Sequence, residues 1–358
     1  MKKKVLVGLS GGVDSSVAAR ILIEQGYEVI GVTMRICDLK KYPNISSNGK
    51  SSCFSLDKDK DLEDASNAAK KLGIPFHVVD LSDKYEEIIL NYFKNEYKIG
   101  RTPNPCIKCN SLIKFGLLME ESKKIGIDFD YFSTGHYAKI EFNPDTNRYL
   151  LKKGDFSQKD QSYFLSLLSQ GQLSKIIFPL GNYTKKEVRE IALNIGLSIH
   201  EKRESQDFYS GDYTDLLDEK GQEGNIVDIN GRSLGRHRGI ENYTIGQRKG
   251  LGISSNYPLY VVEINKDKNE IVVDTEKGLF NDNLIAGEMN WIAFENLENE
   301  ITAKARIRYR HKESEAVVIP LENKRVKVIF KEPQKSITPG QALVIYDGDV
   351  VLGGGFIE

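Results

Sequence analysis

Ser10-Gly11-Gly12-Val13-Asp14-Ser15-Ser16 gathers glycines, hydroxyls and a carboxylate into one short string. Glycines let the backbone come close to an anion, and N–H groups at the start of a helix then bind it. The string therefore reads as a phosphate-binding turn. Ser10, Ser15 and Ser16 add hydroxyl donors, and Asp14 is suited to helping hold Mg²⁺. A Walker A loop requires Gly-Lys-Ser/Thr, and that lysine is absent. The structural alternative, a tight strand-to-helix turn, is outweighed by the whole string in its setting. A second string, Cys106-Ile107-Lys108-Cys109, sets two thiols at a spacing that suggests metal or sulfur chemistry in a reducing compartment.

Elements of regular spacing must position these groups. Lys4 to Leu9 reads as a short buried strand, Asp14 to Gln25 as a helix closed by Gly26, and Val29 to Met34 as a second strand. Leu56 to Leu72, Ser82 to Tyr97 and Leu112 to Lys124 have helical spacing, while Phe76 to Leu81 and Tyr131 to Thr134 read as strands. Strands alternating with helices imply an α/β domain with a parallel sheet covered on both faces. The polar segment Lys40 to Ser52 reads as a mobile loop. After about Ser205, turn signals such as Asn230-Gly231 and Asp347-Gly348 separate short β-rich runs. These are Asn225 to Ile229, Leu259 to Ile264, Glu270 to Asp274, Thr302 to Tyr309, Ala316 to Ile319, Val326 to Phe330 and Ala342 to Ile345. They predict antiparallel β structure, first a small, mainly β central domain and then an antiparallel β-barrel.

The chain has 358 residues, enough for two or three domains. Its 50 Lys+Arg and 51 Asp+Glu leave a net charge of -1, which excludes a globally basic nucleic-acid binder but not a basic face on one domain. No apolar run approaches the roughly 20 residues that span a bilayer. Met1-Lys2-Lys3-Lys4 is basic, but the apolar run after it reaches only from Val5 to Leu9. The expectation is a cytoplasmic protein with no targeting segment and no membrane partner. Four cysteines in a chain of this size do not make a disulfide framework.

The phosphate turn resembles the PP-loop of the ATP pyrophosphatases, which implies cleavage of ATP to AMP and pyrophosphate with adenylation of a substrate. Further strings narrow the resemblance. They are Gly100-Arg101-Thr102-Pro103-Asn104-Pro105-Cys106-Ile107-Lys108-Cys109-Asn110, Thr134-Gly135-His136-Tyr137-Ala138 and Lys159-Asp160-Gln161-Ser162-Tyr163-Phe164-Leu165. Tyr243-Thr244-Ile245-Gly246-Gln247-Arg248-Lys249-Gly250-Leu251-Gly252, Thr338-Pro339-Gly340-Gln341 and Leu352-Gly353-Gly354-Gly355 follow. Together they resemble the tRNA-uridine 2-sulfurtransferase family, of the MnmA type, along nearly the whole chain. The resemblance implies a catalytic domain over residues 1–205, a central tRNA-contacting domain over 206–281 and a barrel over 282–358. It also implies ATP and Mg²⁺, a tRNA with a wobble uridine (lysine, glutamate and glutamine isoacceptors), and a sulfur donor such as a cysteine desulfurase or a relay protein. Carried over by position, Gly8, Leu9, Ser10, Gly11, Gly12, Val13, Asp14, Ser15, Met34 and Gly135 would bind ATP. Cys109 falls at the nucleophilic cysteine and, with Cys106 and Asp14, completes the candidate catalytic set. Asn104, Pro105 and Cys106 would meet the target base with His136 at its edge. Lys159, Asp160, Gln161, Arg308, Tyr309 and Gln341 would contact tRNA.

One departure bears on mechanism. Many family members carry Asp at the position of Cys106 and a second cysteine in a stretch that here reads Glu204-Ser205-Gln206-Asp207-Phe208-Tyr209-Ser210, with Tyr209 in its slot. No cysteine follows Cys109. Two sulfur routes stay open. Cys53, Cys106 and Cys109 would hold a [4Fe–4S] cluster with one open iron, or a persulfide would pass between Cys109 and Cys106 or Cys53. Cys37, following an apolar strand, reads as a core residue, and zinc is the weaker metal reading because only a Cys pair is close in sequence.

Lys304, Arg306, Arg308, Arg310 and Lys312 alternate with period two, so on a strand all five would face one way. Five neutralised phosphates would give a salt slope of about −4.5. Arg232, Arg236, His237 and Arg238 form a second basic cluster. Two rival functions are a PP-loop ligase or amidotransferase for a small metabolite, which leaves the stripe and the cysteine pair unused, and a noncatalytic nucleotide-dependent RNA-binding protein, which the intact turn opposes.

Overall fold

The computed structural model describes residues 2–37, 52–54, 58–197, 207–209, 211–217 and 221–358. Most of the expected mobile loop, from residue 40 to 51, lies outside them. The N-terminal part is built on a five-stranded parallel sheet in the order Phe76–Asp80, Glu28–Arg35, Lys4–Gly8, Tyr131–Ser133, Ile176–Ile177. Val5, Leu6 and Val7 are all fully buried, as a strand covered on both faces requires. The chain steps from Lys4–Gly8 first towards Glu28–Arg35 and later back to Tyr131–Ser133 on the other side. Strand order thus reverses beside the first strand, and a crevice opens there at the carboxyl ends of the strands.

The expected helix at Leu112 begins earlier. Pro105–Lys108, Cys109–Leu117 and Leu118–Lys124 run on as one helix, with a π-helical middle that starts at Cys109. Pro105 sits in its first turn, where a missing N–H costs nothing. Two expected β runs also need correction. The central sheet, ordered Ser233–His237, Gly224–Asp228, Glu270–Asp274, Tyr260–Asn265, contains one parallel pair and is not wholly antiparallel. The strand expected over Thr302 to Tyr309 is Ile301–Arg306, and a turn follows.

Phe280–Trp291, Arg325–Lys335, Ser314–Leu321, Ile301–Arg306, Ala342–Asp347 and Val350–Ile357 form an antiparallel barrel, closed where the first of these strands pairs with the last. Ala342–Asp347 is apolar on both faces. Leu343 and Ile345 fill the barrel, while Ala342, Val344 and Tyr346 pack into the core of the parallel-sheet domain. A hairpin unforeseen in the sequence, Ala138–Asn143 with Arg148–Lys153, leaves the parallel-sheet domain and extends the barrel sheet beside Val350–Ile357. No helix among the described residues is long and apolar enough to cross a membrane.

Candidate active site

The crevice is a cavity of about 300 Å³. The phosphate turn forms one wall: Gly8, Leu9, Ser10, Gly12, Val13, Asp14 and Ser15 all line it, with Met34 and Gly135 beside them. Gly11 does not line it; its positive φ of 70° makes the turn, against the Asp61 carbonyl. The Ser10 N–H donates to the Ser15 hydroxyl at 3.2 Å, and the Ser15 and Ser16 hydroxyls donate to the Gly12 carbonyl at 3.2 and 3.0 Å. No side chain caps the helix Val13–Glu24 that follows, and its opening faces the cavity. Gly135 is required by proximity, since a Cβ there would lie 2.6 Å from the Ser15 amide nitrogen.

The lysine missing from the loop enters from elsewhere. Lys185 lines the same cavity and donates to Asp14 Oδ1 at 2.6 Å, and the Tyr137 hydroxyl donates to that oxygen at 2.7 Å. Lys185 opens the helix Lys185–Asn194, whose start is fixed by a capping box between Thr184 and Glu187. The string Thr184-Lys185-Lys186-Glu187 marks a helix start in the sequence, but nothing in it tells where the helix points. Asp61, Arg35 and Lys114 also line the cavity and were missed for the same reason.

The same cavity also carries sulfur and imidazole groups. Cys53, on the strand Ser52–Phe54, and His136 both line it. His136 Nδ1 lies 2.7 Å from the Thr134 hydroxyl; burial first, and then the charge of Lys114, hold the ring well below its ordinary pKa, so it is neutral. Cys109 is only 8% exposed, and burial pushes its thiol up to about 11, with Lys114 opposing and Cys53 adding to the rise. Cys106 is half-buried, and Cys37 is packed in the core. The fully buried Tyr85 phenol, raised first by burial, feels Cys109, Cys53, Cys106 and Cys37, so all four thiols share its neighbourhood. None of the four is in a disulfide, and no group of three or more His, Cys, Asp or Glu side chains among the described residues is arranged to hold a metal ion. The three-cysteine cluster expected at Cys53, Cys106 and Cys109 thus has no assembled ligand set here. Cys53 sits on a strand and the other two on a helix, and on that helix Cys109 is buried where Cys106 is half-exposed.

Ser52–Phe54 pairs in parallel with Asp207–Tyr209. This sets Cys53 beside the segment in which the sequence lacks its later cysteine. Tyr209 is buried there, its hydroxyl donating to Asp215 at 2.9 Å. Residues 204–206 and 210 of that stretch lie outside the described residues.

The expected tRNA contacts divide. Gln161 lines the cavity, and its Oε1 accepts from the Tyr137 N–H at 2.9 Å. Lys159 is half-buried and Pro105 buried, while Asn104 precedes the first turn of the cysteine helix. Asp160 is 4% exposed: it accepts from the Ser162 N–H and hydroxyl at 3.0 Å and pairs with Arg306 at 3.7 Å. It holds the fold and presents no carboxylate to solvent. The stripe of five like-facing cations is likewise corrected. Arg306 turns inward to Asp160, while Arg308, Arg310 and Lys312 lie beyond the strand end. Arg308 donates to the Thr338 hydroxyl, Tyr309 packs on Phe164 with ring centroids 4.4 Å apart, and Gln341 donates to the carbonyls of Thr102 and Pro103.

A parallel sheet with a phosphate turn at its switch point, joined to a mixed β domain and a closed barrel, defines a nucleotide-binding enzyme of the HUP type with two β appendages. Family models match in that order: the tRNA methyl transferase HUP domain over residues 3–209, the tRNA methyl transferase PRC-barrel domain over 215–275, and the aminomethyltransferase beta-barrel domain over 281–357. The chain is 50% identical to the tRNA-specific 2-thiouridylase MnmA of Endomicrobium trichonymphae, over 99% of this chain and 98% of that protein. It is 47% identical to the enzyme of that name from Acetivibrio thermocellus, over 100% and 99%. The tRNA-specific 2-thiouridylase MnmA 1 of Caldanaerobacter subterraneus is 49% identical, over 100% and 98%. The chain belongs to the tRNA-specific 2-thiouridylase MnmA family.

Proposed function

We propose that this protein uses ATP to activate the 2-oxygen of a wobble uridine in tRNA and replaces that oxygen with sulfur. The observation that carries the reading is one cavity lined both by the phosphate turn and by Cys53, His136 and Lys114. A uracil carbonyl is a poor electrophile, and adenylation converts its oxygen into a leaving group. The phosphate turn and Lys185 neutralise the charge that builds on the departing pyrophosphate. Asp14 and Asp61 offer carboxylate oxygens, the donor type Mg²⁺ takes together with substrate phosphates. Bound there, Mg²⁺ would supply further charge neutralisation. Neutral His136 serves as a hydrogen-bonding group at the base and not as a cation.

For the sulfur step, Cys53 carries a persulfide, because it opens into the cavity and Cys109 does not. Its terminal sulfur attacks the activated carbon and AMP leaves. Cys109 then attacks the Cys53 sulfur, its thiol proton passing to the departing 2-thiouridine, and forms a Cys53–Cys109 disulfide; a thiol reductant returns two electrons. A cysteine desulfurase or a relay protein in the cytoplasm would load Cys53, and the lysine, glutamate and glutamine tRNAs are the substrates implied by family resemblance. The competing [4Fe–4S] route needs Cys53, Cys106 and Cys109 to converge.

Two measurements test the reading. Pyrophosphate release should depend on tRNA, and the product should be retarded on a mercury-containing gel when a sulfur donor is present. Pyrophosphate release that needs a small metabolite and leaves tRNA unthiolated would sink it. Iron and sulfide analysis after anaerobic purification decides the route: an iron-free active enzyme supports the disulfide, and stoichiometric iron required for thiolation replaces it with the cluster.

A further inference from the structure

The segment that leads into the cysteine helix is held by both β domains. The Thr102 N–H donates to the Pro339 carbonyl at 2.9 Å, and Gln341 Nε2 donates to the carbonyls of Thr102 and Pro103 at 3.0 and 3.2 Å. The Thr102 hydroxyl bonds the Thr244 hydroxyl of the central domain. Arg101 donates to the Ile357 carbonyl at 2.9 Å and pairs with Glu96. Two glycines are shaped by this contact. Gly340, at φ 87°, could not accept a Cβ, which would lie 2.8 Å from the Thr102 carbonyl oxygen. Gly100, at φ 75°, would place one 2.5 Å from Ile264 of the central domain. Parts of two strings that the phosphate and sulfur chemistry does not use thus form a slot for this segment. Thr244 lines one side and Pro339-Gly340-Gln341 the other.

We propose that Gln341 and Thr244 are positioning residues that fix the segment 100–103 and, through the rigid helix that follows, the placement of Cys106 and Cys109. The side-chain amide of Gln341 has two N–H donors, and both carbonyls it serves belong to this segment, so its donors act on the protein backbone. The two β domains thereby set the register of the thiols. This rests on the thiolation reading above.

The test measures turnover, tRNA affinity and backbone hydrogen exchange in the full-length protein. Gln341→Ala should lower kcat about tenfold or more, since a displacement near 1 Å is enough for such a loss. It should leave the Kd for tRNA within about twofold and speed exchange of the amides over 101–106. Thr244→Val should move the same quantities in the same direction, and Thr244→Ser, which keeps the hydroxyl, should restore them. A raised Kd for tRNA with unchanged kcat and exchange would make Gln341 an RNA ligand and overturn the proposal. Unchanged exchange in both Gln341→Ala and Thr244→Val would overturn it as well. Should the wild-type protein fail to thiolate tRNA, the functional reading falls, and the exchange measurement still decides whether the segment is held.

Discussion

The phosphate-binding groups and the thiols are tied into the fold in different ways. Among the former, Ser15 is bonded into its own turn, and Asp14 is held at one oxygen by both Tyr137 and Lys185. The thiols are not joined in disulfides, differ in burial and are divided between a strand and a helix. A site that always receives the same triphosphate gains from groups fixed before the substrate arrives. A site that must be loaded with sulfur, deliver it and be reduced again needs thiols that meet different partners in turn. Fixed groups for phosphate and separable ones for sulfur follow from those two tasks.

Substitutions of the thiols should separate the two half-reactions completely. In a single turnover without thiol reductant, Cys53→Ala and Cys109→Ala should each abolish free thiolated product while pyrophosphate release stays within about threefold of the parent. They should differ from each other as well: in Cys109→Ala, tRNA should remain joined to Cys53 through a link that a thiol reductant cleaves. Free 2-thiouridine formed by Cys109→Ala at the parental rate would remove Cys109 from the pathway. Among the phosphate-binding groups the losses should be smaller and shared. Lys185→Met should slow pyrophosphate release and thiolation together, by about a hundred- to a thousandfold, the size expected for one donor to a developing anion. If only thiolation fell, Lys185 would belong to the sulfur chemistry and the contrast would fail.

The same contrast explains what could be read in the sequence. The phosphate turn is contiguous and sits between a strand and a helix, so its residue types disclose its chemistry. Lys185 lies 171 residues from Asp14, and only the folded sheet brings them together. The Gln341 contact with Thr102 spans 239 residues, so the sequence, in which family resemblance implied a tRNA contact for Gln341, does not disclose the backbone carbonyl it serves. The basic stripe failed through a local cause: the strand ends at Arg306, whose guanidinium is drawn to the buried Asp160. The hairpin Ala138–Asn143 and Arg148–Lys153 escaped notice because it completes a sheet formed almost entirely by the last third of the chain. Its own alternation is weak, with Phe142 left 46% exposed.

The smallest effects should appear in the labelling of the unloaded protein, and they sharpen the difference between the two thiols. Cys53 opens into the cavity, so an alkylating reagent should reach it faster than buried Cys109, and bound ATP should slow it severalfold. Alkylation needs the thiolate. With its pKa raised to about 11, Cys109 is protonated at neutral pH, and its thiolate fraction rises about tenfold per pH unit up to that value. Labelling of Cys109, followed by mass spectrometry of its peptide, should therefore still be climbing at about pH 9.5. A plateau below about pH 9 would mean that Lys114 outweighs burial, and the thiols would then include a preset thiolate as fixed as any phosphate-binding group.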